Sequence, residues 1–178
     1  RAGARMTLRA VAVSGSPRAP SKSKTLAELM LAALGHGGCE TQMVDVAALP
    51  ADALVARASA PEMDSAIAAI GEAQIVVAAS PTYRALYTGV MKSFFDLMPH
   101  GHLAGKICVP IHTAGSPQHF LTIEYGMHPL FASLDGVPIG GVYATDDQFV
   151  EGRPAEKLLT RIETVAAAAV VLARAASV

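Results

Sequence analysis

The feature that most constrains this chain is an alternation. Short runs of β-branched and other apolar residues stop at Gly, Pro or Ser, and each is followed by a stretch with apolar residues at helical spacing. Residues 8–13 (LRAVAV) read as a strand that ends at Ser14-Gly15-Ser16-Pro17, and residues 25–34 as the helix after it. The pattern repeats as strand 41–46, helix 63–71, strand 75–79, helix 87–98, strand 107–111, a helix near 119–134, strand 137–143 and a final helix 154–173. Three of the five strands are nearly continuous apolar runs, which implies a parallel sheet covered by helices on both faces. The expected fold class is α/β, a doubly wound three-layer sandwich whose five strands take the order 2-1-3-4-5. In such sheets ligands bind beyond the carboxyl ends of the strands, where the winding reverses. The site is therefore expected on the loops after Val13, Ala79 and Ile111.

No repeat, linker or low-complexity tract divides the 178 residues, so one domain over 1–178 is expected. The RAGAR stretch before Met6 is set aside as a vector-derived remnant or upstream sequence, being very short for a transit peptide. With 14 Lys+Arg against 15 Asp+Glu the chain lacks the basic surplus that nucleic acid or an anionic membrane would select. Its longest uninterrupted apolar run, 165–173, falls far short of the ~20 residues of a spanning helix. Two cysteines, Cys39 and Cys108, both among apolar residues, suit buried thiols in a reducing compartment, and a cytoplasmic location is expected.

The first loop, Ser14 to Thr25, carries five hydroxyls, Arg18, Lys22 and Lys24 just before and within the first turn of a helix. Helix N–H groups, the positive dipole end, hydroxyls and a guanidinium together suit a phosphate. The alternative for single residues is that Ser21 or Ser23 only caps the helix. The Walker signature and G-x-G-x-x-G are both absent, and no cysteine stands in the loop to act as a phosphatase nucleophile. A single terminal phosphate held without metal remains.

After the third strand, Ser80-Pro81-Thr82-Tyr83-Arg84 offers backbone amides and an aromatic edge, which suit a flat heterocycle. The helix that follows has a broad apolar stripe, Tyr87, Val90, Met91, Phe94, Phe95 and Met98; with Leu86 and Leu97 it suggests a subunit interface beyond core packing. The fourth strand leads into His112-Thr113-Ala114-Gly115-Ser116, a third wall. Pro129 cannot donate to the carbonyl of Tyr125, so the helix there should kink, form a π-bulge that re-aims Tyr125, or end at Gly126 and restart. The six histidines lack ligand spacing with carboxylates or thiolates and read as solvent-exposed loop residues rather than a metal site. No G-x-S-x-G elbow supports a hydrolase. Redox chemistry would need a bound cofactor.

Three segments, VSGSPRAPSKSKTLAEL, SPTYRALYTGVMKSFFDLMP and GKICVPIHTAGSPQHFLTIEYGMHPLFASLDG, resemble the NAD(P)H-dependent FMN reductases of flavodoxin-like fold. The likeness runs over nearly the whole chain, and is strongest to the reductase components of two-component alkanesulfonate monooxygenase systems. It implies that Ser16, Arg18, Ser21, Ser23 and Thr25, with Lys24 in addition, hold the FMN phosphate. It further implies that Pro81, Thr82, Tyr83 and Arg84 line one side of the isoalloxazine and Thr113, Ala114, Gly115 and Ser116 its other edge. Hydride would pass from NAD(P)H to FMN, with Tyr83 and Arg84 bordering the nicotinamide and Tyr125, on a π-bulge at a subunit interface, governing release or handover of reduced flavin to a partner monooxygenase. Dimers or tetramers are implied. The alternatives are a reductase of the same superfamily that keeps FMN and reduces a quinone, azo dye or metal ion, and a flavodoxin-type carrier, which the near-zero charge and lack of Trp disfavour.

Overall fold

The backbone of the chain is organised by β1 (Leu8–Ser14), whose residues are all buried except Arg9. In this computed structural model residues 7–176 are described; the RAGAR segment lies outside the described residues. β1 pairs in parallel with β2 (Cys39–Asp45) on one side and β3 (Ile75–Pro81) on the other. β3 pairs with β4 (Ile107–Ala114), and the sheet order is β2-β1-β3-β4-β5, as the alternation predicts. The apolar runs end at Ala79 and Ile111, but β3 and β4 continue through Ser80, His112 and Thr113, which are polar yet buried.

Two apolar layers cover the sheet. On one face α1 (Lys22–His36) and α6 (Glu156–Ala176) bring Leu26, Met30, Leu34 and Ile162 against β1, β3 and β4. On the other face lie α2 (Ala51–Leu54), a short helix not anticipated above, α3 (Pro61–Glu72), α4 (Gly89–Asp96) and α5 (His128–Ala132). There Met91, Phe94, Phe95 and Phe131 are buried, and the last two rings meet edge to face at 6.2 Å. Exposed Glu40, Thr41 and Gln42 mark β2 as an edge strand. A small hairpin of β7 (Phe149–Val150) and β8 (Arg153–Pro154) precedes α6 and takes up Pro154, so the helix starts at Glu156.

Strand 137–143 is broken in two. β5 (Val137–Pro138) pairs with Ile107 and Cys108, and β6 (Val142–Thr145) resumes opposite Ile111 to Ala114. Three residues, Ile139 to Gly141, face two on β4, which is a bulge. Its cause lies in β4: Pro110 has no N–H for the ladder, and its carbonyl comes so close to Gly141 that a Cβ there would lie 2.1 Å from it.

The segment after β4 contains the predicted irregularity. Residues Ile123–Met127 form a π-helical turn immediately before α5, with Pro129 in the first turn of α5. Tyr125 stands on it, 78% exposed. No helix among the described residues is long and apolar enough to cross a membrane.

Candidate functional site

The loops after β1, β3 and β4 are tied together by their own backbones. The Gly15 N–H donates to the Ala79 carbonyl at 2.8 Å, and the Thr82 N–H donates to the Thr113 carbonyl at 2.7 Å. Thr88, the N-cap of α4, donates its hydroxyl to the Gly15 carbonyl, and its own N–H donates to Ser80 Oγ at 3.0 Å. A Cβ on Gly15 would lie 2.6 Å from Met91 Cβ, so glycine is what lets α4 close under the first loop.

Above this junction lies a cleft of about 330 Å³. One wall is Ser16, Arg18, Pro20, Ser21 and Lys22; the facing walls are Pro81, Thr82 and Tyr83 and then Thr113, Ala114 and Gly115, with Asp146 at the edge. Ser21 caps α1 by accepting from the Lys24 N–H at 3.2 Å, and the first turn of that helix holds no acid, so its dipole is left unneutralised. Ser16 Oγ bonds the Arg18 backbone, donating to its carbonyl at 3.1 Å. Two hydroxyls, a guanidinium and an ammonium at a helix start fit a phosphate; the backbone and tyrosine edge opposite fit a planar ring.

The structure divides the anticipated residues. Ser16, Arg18, Ser21, Pro81, Thr82, Tyr83, Thr113, Ala114 and Gly115 line the cleft. Ser23, Lys24, Thr25, Arg84, Ser116 and Tyr125 are not among its lining residues, and each has a different occupation. Ser23 is fully buried with its hydroxyl 3.1 Å from that of Ser21, and the Thr25 hydroxyl donates to the Ser21 carbonyl at 3.1 Å. Lys24 Nζ donates to Asp45 Oδ2 at 2.6 Å, a bond that raises the ammonium pKa above its ordinary 10.5. Ser116 caps the next turn, and the Tyr143 hydroxyl donates to its carbonyl. Arg84 and Ala85 both have positive φ, 52° and 66°, at the tip of a two-residue hairpin closed by bonds between Tyr83 and Leu86. That is the φ pattern of a type I′ turn, held here by non-glycine residues at a cost in backbone strain. Tyr125 lines a separate cavity of about 240 Å³ with Leu86, His119 and Thr122.

Sequence reasoning counted Lys22 among the cations of the first loop without assigning it a ligand contact, and did not single out Pro20 or Asp146. A signal for Asp146 existed: it follows the last sheet strand, at the same carboxyl edge as the other loops. The histidines need correction: His36 ends α1 and half-buried His128 opens α5, so neither stands in a loop. His112 is not in a solvent-exposed loop; it is fully buried within β4, its Nδ1 3.1 Å from Thr82 Oγ1, and burial lowers its pKa from 6.5 to about 4. Among the described residues no group of His, Cys, Asp and Glu could hold a metal. Cys108 is buried, which pushes its thiol up to about 12, while Cys39 is only half-buried. A larger groove of about 600 Å³ between α1 and α6 is lined chiefly by Leu, Ala and Val, and its Arg174 is spent on the Gly37 carbonyl at 3.0 Å; it lacks convergent donors.

The family described as NADPH-dependent FMN reductase matches residues 8–151. The chain belongs to that family. It is 32% identical over 163 residues to FMN reductase (NADPH) of Escherichia coli (strain K12), covering 88% of this chain and 85% of that protein. It is 33% identical over 165 residues to NADH-dependent FMN reductase SfnF of Pseudomonas fluorescens (strain Pf0-1), covering 89% and 88%. Among solved structures it is similar to the apo form of NADH:FMN oxidoreductase (EMOB), with a TM-score of 0.86, 29% identity, and coverage of 93% of this chain and 89% of that one. Membership in the family makes the chain an NAD(P)H:FMN oxidoreductase, with FMN and reduced nicotinamide as its ligands.

Proposed function

We propose that the cleft holds FMN with its phosphate at the start of α1, among Ser16, Arg18, Ser21 and Lys22. Its ring system would lie between Pro81-Thr82-Tyr83 and Thr113-Ala114-Gly115. The observation that carries this reading is the division of the cleft: hydroxyls and cations on one wall, backbone and a half-exposed tyrosine on the other. Ser23, Thr25 and Lys24 act one step back, Ser23 by orienting the Ser21 hydroxyl, Thr25 by bracing the cap, and Lys24 by anchoring α1 to Asp45.

Bound FMN supplies the ring that accepts hydride from NAD(P)H. The protein's part is orientation and exclusion of water. The Thr82–Thr113 backbone bond fixes the spacing of the two ring walls, and the strained Tyr83–Leu86 hairpin holds Tyr83 and Arg84 at the open side, where the nicotinamide would enter. No side chain is needed as proton donor or acceptor. Reduced flavin would then leave for a partner monooxygenase, a role in sulfonate sulfur assimilation suggested by the sequence resemblance above. Tyr83, Leu86, Phe120, Leu121 and Tyr125 are large apolar side chains exposed on the hairpin and around the π-turn. They support assembly into a homodimer or homotetramer there, with Tyr125 governing flavin release or handover.

The test is NADH and NADPH oxidation by purified protein, with and without free FMN, beside its absorbance spectrum. Colourless protein whose oxidation depends on added FMN supports the proposal; yellow protein indifferent to FMN but stimulated by quinones refutes the delivery role. An Arg18→Ala protein with parental FMN affinity would refute the phosphate placement. Flavin turnover unchanged in Tyr125→Ala counts against the handover role.

A further inference from the structure

The cleft contains one residue whose charge opposes its proposed occupant. Among its lining residues Arg18 and Lys22 are cationic and Asp146 is the sole acid. Asp146 Oδ1 accepts from Lys22 Nζ at 2.8 Å. The same ammonium lies 5.2 Å from the ring centre of Phe149, three residues further along the Asp146 loop, within range of a cation–π contact. Lys22 is thus held from two sides by the 146–149 segment. That segment is itself fixed: Asp146 opens a 3₁₀ turn, and Gln148 Oε1 accepts from the Thr145 N–H at 2.9 Å. The other carboxylate oxygen, Oδ2, would lie 3.7 Å from a Cβ on Gly115, so the acid stands between the cationic wall and the ring wall.

We propose that Asp146 is an internal competitor for the flavin phosphate. It occupies Lys22 in the free protein, and FMN must draw the ammonium away from it. A phosphate monoester carries a charge of about −1.5 to −2 at neutral pH, and in the free protein the carboxylate cancels one of the two cations that would receive it. The Lys22 and Asp146 side chains are 39% and 61% exposed, so the pair is screened and breaks readily. Asp146 thereby sets FMN affinity low enough for flavin to exchange, while the Arg18 and Ser21 contacts keep it selective. The inference rests on the placement of the phosphate proposed above.

The test measures dissociation constants for FMN and for riboflavin, which lacks the phosphate, by quenching of flavin fluorescence. The proteins compared are the parent, Asp146→Asn, Lys22→Met, the double variant and Arg18→Ala. Asp146→Asn is expected to bind FMN up to about fivefold more tightly, to leave riboflavin unchanged, and to lose most of its gain in the Lys22→Met background. FMN affinity unchanged or weakened in Asp146→Asn overturns the inference, as does equal tightening for riboflavin or a full gain without Lys22. If Lys22→Met and Arg18→Ala both bind FMN like the parent, the phosphate placement itself is wrong. If they weaken FMN while Asp146→Asn does not tighten it, only the competitor role fails.

Discussion

Replacing Thr88 by valine should weaken the fold and the cleft together, because one hydroxyl serves both. Thr88 is 2% exposed; its Oγ1 accepts from the Met91 N–H at 3.3 Å as the cap of α4 and donates to the Gly15 carbonyl at the head of the first loop. Valine keeps the shape and removes both bonds. Loss of an N-cap costs about 0.5–2 kcal/mol, and a buried carbonyl left without its donor about 1–3 kcal/mol. Since the two losses share one hydroxyl, about 2–4 kcal/mol is expected in total. For a chain of this size that lowers Tm by roughly 5–15 °C. The assay is denaturant and thermal unfolding of the parent, Thr88→Val and Thr88→Ser. Serine retains the hydroxyl and should recover most of the loss. FMN titration of the valine protein should show weaker binding, since Gly15 introduces the loop that carries Ser16 and Arg18. A valine protein within about 0.5 kcal/mol of the parent, the range of a neutral surface change, would refute the account of Thr88 as the joint between α4 and the first loop.

Gly141→Ala places a Cβ 2.1 Å from the Pro110 carbonyl oxygen, a backbone clash that should cost about 3 kcal/mol or more, read as lost soluble yield or a lowered Tm. Burial holds the His112 imidazole at about 4 when folded, against 6.5 for the ordinary side chain. The unfolded chain therefore gains its proton first as pH falls. The stabilisation is complete above pH 6.5, declines between 6.5 and 4, and amounts to about 3 kcal/mol in all; unfolding measured across that window should show this slope in the parent and a flatter one in His112→Leu. Alkylation followed by mass spectrometry should modify half-buried Cys39 in the native state and Cys108, whose thiol is pushed up to about 12, only after unfolding.

Strand order was readable because β1, β3 and β4 are covered on both faces and therefore apolar almost throughout. The same rule misplaced their ends: Ser80, His112 and Thr113 are buried beside the cleft, and a search for apolar residues stops before them. The first turn of α1 escaped for a related reason, since Lys22, Ser23 and Lys24 carry no apolar repeat and the helix is announced there only by the Ser21 cap. An irregularity before α5 was legible because Pro129 acts locally, through a missing N–H and a ring that needs room, but the residues left a kink, a π-turn and a restarted helix equally open. The break between β5 and β6 was not legible, because its cause, Pro110, sits on a neighbouring strand about thirty residues away. Hydroxyl and cation types pointed to a loop that does line the cleft, but which of them face it depended on partners that only folding brings near: Asp45 for Lys24, and Asp146 for Lys22.

The bulge at Ile139 to Gly141 makes the end of the sheet sensitive to chain length in a way composition does not reveal. Ile139 packs against the α1 and α6 side, and so do Val142 and Ala144, although simple alternation would put the first and the last two on opposite faces. The additional residue works as a phase change. One glycine could be lost with the faces kept, because two residues would then face Val109 and Pro110 and ordinary alternation would hold Val142 and Ala144 on the side of Ile139. Losing both glycines would exchange the faces, driving the Tyr143 phenol into the aliphatic layer and carrying Val142 and Ala144 out of it. Tyr143 would then release the Ser116 carbonyl, and Asp146 would leave the cleft edge. The segment thus holds one residue in reserve: a single deletion here spends the bulge, and only the next one reaches the site.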